Sequence, residues 1–290
     1  MKRKWKIAGG VIALFCMSVY RNNASWLAPR ASTPGSLVAH RGVHQTFTPK
    51  GLTNESCTAS MIYPPEHDYL ENTIASIAEA FRLGGHEGEI DIHPSTDGKF
   101  AVFHDWGLDC RTEGAGVTRE HSMAYLKTLD IGYGYTADGG RTFPFRGKGI
   151  GLMPTLDEVL ESFPGRRFSI NTKSNDPIEG DLLAARLARL SDAERDLISL
   201  IVGGNRLYRV LHEEFPTMPM ANETAALKCL KDYFIWGRSG LVPASCRHNV
   251  FFGPEKLFLD VVGLSRPLAR AHECGRSEGP SAASLLWRHF

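Results

Sequence analysis

Short strand-like runs alternate along this chain with runs of helical spacing, and several of the strands end on an imidazole or a charged side chain. Ser36-Leu37-Val38-Ala39 is a short strand that ends at His40-Arg41-Gly42. Thr73 to Leu83 carries Ile74, Ile77, Ala80 and Phe81 at helical spacing and is closed by Gly84-Gly85. Glu89-Ile90-Asp91-Ile92-His93 alternates strictly, and Lys99 to His104 is a second β run after the Thr96-Asp97-Gly98 turn. Thr155-Leu156-Asp157-Glu158 has the form of a capping box and opens a helix that runs to Phe163. A strand at Arg167 to Lys173, a helix at Pro177 to Leu190, an apolar run at Leu197 to Val202 and a helix at Leu207 to Phe215 continue the order. This repetition predicts an α/β fold with a parallel sheet covered by helices, either a closed barrel or an open doubly wound sheet. No GxGxxG follows a strand, which argues against the nucleotide-binding form.

Composition narrows the partners. The chain has 290 residues, and its 33 Lys and Arg against 32 Asp and Glu leave a net charge of +1. No global basic field attracts nucleic acid, so DNA and RNA are excluded as expected partners. With 42% hydrophobic and 22% charged residues the chain is a folded globular protein, neither disordered nor a polytopic membrane protein.

Residues 1–30 stand apart. Lys2, Arg3, Lys4 and Lys6 precede the uncharged 14-residue run Ile7 to Tyr20. As a helix that run is about 21 Å long, against a hydrocarbon core of roughly 30 Å, a length that suits a cleaved signal peptide. Arg21-Asn22-Asn23 supplies no small-x-small cleavage site, and Trp5 and Trp26 suit two membrane interfaces, so the reading leans to an uncleaved membrane anchor. Either way the basic end stays in the cytoplasm and the rest is exported. Ala31 to Gly35 reads as a linker, and 31–290 as one barrel domain. Of the six cysteines, Cys57, Cys110, Cys229, Cys246 and Cys274 then meet an oxidising compartment. There is no CxxC pair, so disulfides such as Cys57–Cys110 and Cys229–Cys246 are expected rather than a thiolate metal site, although spacing alone leaves the connectivity open.

Polar residues at the C-terminal ends of several strands mark a barrel active site. Glu89 and Asp91 are two apart and share a strand face, and two converging carboxylates repel unless a cation lies between them. Oxygen ligands of this kind suit Mg²⁺ or Ca²⁺. His40 and His104 are suited to giving and taking a proton near neutral pH. Arg41 and Lys173 add two positive groups for an anionic phosphate. Each of these taken alone is more often a solvated or structural side chain, but together they describe hydrolysis of a phosphate ester.

The motifs His40-Arg41-Gly42, Leu70-Glu71-Asn72-Thr73, Glu89-Ile90-Asp91, Asp97-Gly98 with Val102-Phe103-His104-Asp105, Arg111-Thr112-Glu113-Gly114 and Met153 to Leu160 occur in this order. Over residues 36–205 the chain thereby resembles the glycerophosphodiester phosphodiesterases, a (β/α)₈ barrel family. That resemblance implies His40 and His104 as the acid/base pair, Arg41 and Lys173 as phosphate-binding, and a divalent metal, Ca²⁺ or Mg²⁺, on Glu89 and Asp91 with Glu71 beside it. It implies release of an alcohol and sn-glycerol 3-phosphate from a small glycerophosphodiester, with the glycerol 2-hydroxyl as internal nucleophile. A relative that only binds phosphate head groups, and a phosphodiesterase acting on intact phospholipids, are the competing readings.

Three departures from the family pattern stand out. Val43 to Tyr69 and Gly132 to Leu152 are longer than simple connecting loops, and the second could shape or cover the substrate cleft. Asn171 stands where the family often has a third acidic metal ligand, so weaker metal binding is expected. Residues 257–290 are atypical: the seventh strand candidate is Leu257 to Val262, an eighth is missing or poor, and the barrel is expected to be incomplete there.

Overall fold

The computed structural model describes residues 2–23, 36–48, 51–53, 56–236, 243–246 and 286–289. They fall into two compact units, one built from 35–220 with 286–289 and the other from the N-terminal helix with residues after 220.

The first unit is a parallel sheet with helices. Its strands are β1 (Ser36–His40), β2 (Glu87–Pro94), β3 (Phe100–Val102), β4 (Arg167–Thr172), β5 (Ile198–Val202), β6 (Met220–Ala221) and β7 (Leu286–His289). The order is β6-β5-β4-β2-β1-β7, with β3 folded back on β2. β1 with β2, β2 with β4 and β4 with β5 pair in parallel. Helices α2 (Ile74–Arg82), α4 (Leu156–Ser162), α5 (Pro177–Leu187) and α7 (Asn205–Glu214) supply the connections, with α3 (Met123–Leu126) and α6 (Asp192–Arg195) as shorter turns. The (β/α)₈ barrel, expected to be incomplete at its C-terminal end, is a curled half-barrel among the described residues. β6 and β7 lie at opposite edges of the sheet, and the free edge of β1 takes β7 as an antiparallel neighbour instead of a closing parallel strand. The strand expected at Leu257 to Val262 lies outside the described residues.

Strand parity explains the two faces of the sheet. Even-numbered Ile90 and Ile92 of β2 pack with Phe168 and Ile170 of β4 under Ile77 and Phe81 of α2, Leu183 of α5 and Leu207 of α7. Each such fully buried side chain stabilises by roughly 1.5–3 kcal/mol relative to exposure. Odd-numbered Glu89, Asp91 and His93 are left on the opposite face. Helix starts are set locally: Thr73 and Thr155 both close capping boxes, with Ser76 and Glu158 as their partners.

The two long stretches flagged in the sequence fold together. Ala59 and Ile62 from the first share a second core with Tyr135 and Phe145 from the second, together with Leu70, Leu126, Ile131 and Met153. Cys57–Cys110 staples this lobe, with Cα atoms 5.5 Å apart and a sequence separation of 53. Replacing both cysteines by Ala is expected to lower stability by about 3 kcal/mol, because the cross-link removes freedom mainly from the unfolded chain. A denaturant midpoint unchanged from the wild type would refute the staple.

In the second unit, α1 (Lys2–Asn23) and α8 (Glu223–Trp236) are helical. Asn222 caps α8 by accepting the Ala225 N–H at 2.8 Å, and Cys229 of α8 forms the other expected disulfide, with Cys246. Among the described residues no helix is long and apolar enough to cross a membrane. The apolar run is bounded by Lys2, Arg3, Lys4, Lys6 and Arg21 and interrupted by Gly9, Gly10 and Ser18.

Candidate active site

Register assembles the site. In the β1–β2 pairing His40 lies opposite Glu89, and in the β2–β4 pairing Asp91 lies opposite Asn171. One strand period beyond Asn171 comes Lys173. Arg41 then leaves β1 in the left-handed conformation at φ 58°, followed by Gly42 at φ 73°. A Cβ on Gly42 would stand 2.6 Å from Ser76 Oγ, so only glycine permits this tight exit onto α2. The turn lets the Arg41 backbone N–H donate to both the Glu89 carbonyl and Glu89 Oε2, at 3.0 and 3.1 Å.

Asp91 is the centre of the charge network. Its Oδ1 lies 2.6 Å from Lys173 Nζ and accepts from Asn171 Nδ2 at 2.9 Å. Its Oδ2 accepts from Asn72 Nδ2 at 3.0 Å and lies 3.3 Å from Arg41 Nε. Burial alone would raise the Asp91 carboxyl, but Lys173 and Arg41 outweigh it and hold it well below the usual carboxylate range. Glu89 moves the other way, pushed up by burial and then by the charge of Asp91. Its Oε2 is 4.0 Å from His40 Nε2. Burial, then the Arg41 charge, depresses the His40 imidazole to about 3, so it is neutral near pH 7.

A second cation completes the network from the stapled lobe. Arg111 is 2% exposed, with Nη2 3.4 Å from Glu71 Oε1 and Nε 2.9 Å from Asp105 Oδ2, the latter an ion pair without hydrogen-bond alignment. It also donates to Thr58 Oγ1 at 2.7 Å and Tyr135 Oη at 2.5 Å. Glu71 accepts from Arg41 Nη1 at 3.1 Å as well. Burial would raise Glu71, yet Arg111 and Arg41 together bring it down to about 2. Asp105 in turn holds His104, with Nδ1 to Oδ1 at 2.7 Å.

All eight residues singled out from sequence therefore meet in one network. His40, Arg41, Glu71, Glu89, Asp91, Asn171 and Lys173 join it directly, and His104 joins through Asp105 and Arg111. Sequence reading assigned no role to Asn72, Asp105 or Arg111, although each stands inside a quoted motif. Their contacts depend on burial, which a polar residue in a connecting segment does not advertise. His93, on the same face as Asp91, is fully buried with Nδ1 unpartnered among the described residues.

The profile of the glycerophosphoryl diester phosphodiesterase family matches residues 40–194 of the 290. A glycerophosphodiester phosphodiesterase of Bacillus subtilis is 30% identical over 174 residues, 59% of this chain and 53% of that protein. A human lysophospholipase D is 26% identical over 182 residues, 60% of this chain and 54% of that one. The chain thus spans about half the length of these curated relatives. In fold, it is similar to the glycerophosphoryl diester phosphodiesterase domain of an uncharacterized protein from Mycobacterium tuberculosis. The TM-score is 0.51 at 18% identity, covering 70% of this chain and 65% of that one. With the motifs on the strand ends where the matched segment begins and His104 within it, the chain belongs to the glycerophosphoryl diester phosphodiesterase family.

Proposed function

We propose that this protein hydrolyses small glycerophosphodiesters to an alcohol and sn-glycerol 3-phosphate. The observation that carries the reading is one buried network in a chain of this family: His40, Arg41 and Lys173 meet the carboxylates of Glu89 and Asp91, and His104 is tied in through Asp105 and Arg111. Neutral His40 accepts a proton. The Asp105 carboxylate on Nδ1 fixes the tautomer of His104 and stabilises the imidazolium that delivers a proton to the leaving oxygen. Arg41 and Lys173 orient the phosphate.

A hard divalent cation, Mg²⁺ or Ca²⁺, belongs to the same proposal. Glu89 and Asp91 are oxygen donors on one strand face, and burial with the Asp91 charge pushes Glu89 up, so a cation between the two carboxylates would favour the ionised form of Glu89. Among the described residues no three acidic, imidazole or thiol groups converge as a complete cage. That donor set fits an ion held by one or two carboxylates and completed by phosphate oxygens. Glu89 and Asp91 would hold it, with Glu71 and Asn171 beside them, and bound there it would neutralise charge on the phosphate. The two disulfides support export to an oxidising compartment.

The full chain is expected to release glycerol 3-phosphate from glycerophosphocholine, with loss of turnover in EDTA and recovery on adding Mg²⁺ or Ca²⁺. Tight binding without turnover would favour the head-group-binding reading. Turnover of lysophosphatidylcholine alone would favour a phospholipid substrate.

A further inference from the structure

A third imidazole lies beside His40. His44 is 7% exposed, and its ring centroid is 5.8 Å from that of His40, edge to face at 88°. Its backbone is held on both sides. Val43 donates to the Ser76 carbonyl at 3.1 Å, and the buried Gln45 amide donates to the His67 and Tyr69 carbonyls at 3.0 and 2.8 Å. A ring so placed is fixed by the fold.

Its chemistry is fixed as well. His44 Nδ1 lies 3.0 Å from the Gln45 carbonyl oxygen, which can only accept, so Nδ1 carries the hydrogen. Burial holds the ring below the usual imidazole range, in its neutral form, so Nε2 presents a lone pair. No partner for Nε2 is found among the described residues, and this atom is not among those sealed from solvent. A lone pair cannot bind a phosphate oxygen, which is itself an acceptor, and Arg41 and Lys173 already provide for that group. It needs a donor. The hydrogen-bond donors nearest the phosphorus of a glycerophosphodiester are the hydroxyls of its glycerol moiety.

We propose that His44 Nε2 accepts a hydrogen bond from a glycerol hydroxyl of the substrate and sets the preference for glycerol-containing diesters. The inference rests on the function proposed above. It makes His44 a specificity residue, with no proton transferred.

The test compares the full chain with its His44→Phe and His44→Gln variants on glycerophosphocholine and on bis(p-nitrophenyl) phosphate, which has no glycerol. The expected result for His44→Phe is a KM for glycerophosphocholine raised about tenfold, the scale of one lost hydrogen bond to a neutral partner, while kinetics on bis(p-nitrophenyl) phosphate stay within about twofold and His44→Gln recovers part of the loss. Equal losses on both substrates, or none on either, overturn the inference. Should His44→Phe fail to fold, calorimetry on His44→Gln decides: sn-glycerol 3-phosphate must lose part of its affinity advantage over inorganic phosphate, and an unchanged advantage overturns the inference. A wild-type chain that turns over bis(p-nitrophenyl) phosphate but no glycerophosphodiester overturns the proposed function, and this inference with it. A wild type active on both with an unselective His44→Phe overturns the inference alone.

Discussion

His104→Ala is expected to lower kcat on glycerophosphocholine by at least about a hundredfold while leaving the unfolding midpoint unchanged, since a general acid/base step contributes on that order. The side chain is poorly placed to matter for stability, because it is partly exposed and its one hydrogen bond goes to an Asp105 that Arg111 already neutralises. Its placement suits chemistry better. With Nδ1 on Asp105, the proton to be given or taken must reside on Nε2. His40→Ala should show a loss of the same order, and the wild-type acid limb should not be set by His40 above about pH 4, because its imidazole is depressed to about 3. Wild-type rates in either alanine variant would reject the acid/base assignment.

The strands that bear these residues were legible because a local rule and the tertiary outcome agree in them. Strict alternation in Glu89 to His93 puts Glu89 and Asp91 on one face, and the structure keeps them there over residues 87–94. Thr73 and Thr155 advertise their helices through side-chain caps that need no distant partner. Where the rule was read too generously, the helix from Pro177 stops at Leu187, and Ser191 caps a separate turn at Asp192–Arg195. β6 is only two residues, too short for any period to show, and β7 is chosen by a partner some 250 residues away in sequence, which no local pattern encodes. The same limit hid His44. It follows a recognised motif by two residues, yet only the turn at Arg41-Gly42 and the anchoring of Gln45 bring it back beside His40.

The largest stability effect is expected from Arg111→Met, at about 3–5 kcal/mol, because the substitution takes from buried Glu71 one of its two guanidinium partners and from Asp105 its ion-pair partner. Both Glu71 and Asp105 meet this guanidinium, and Glu71 is only 7% exposed. Met matches the length of the stem but gives nothing to Tyr135 or Thr58, so two hydroxyls lose a donor along with the two carboxylates. Arg111→Lys should recover only part of the loss, since a point charge cannot reach four partners that a planar fork spans. Arg82→Met is the control. Its guanidinium is largely exposed and pairs with Glu79 one turn back on the same helix, a surface ion pair of small worth, and its midpoint should move far less. Urea midpoints for the three variants settle the comparison. If Arg111→Met is no worse than Arg82→Met, then Arg41 alone suffices for Glu71, and the link from the stapled lobe to His104 contributes nothing to the fold.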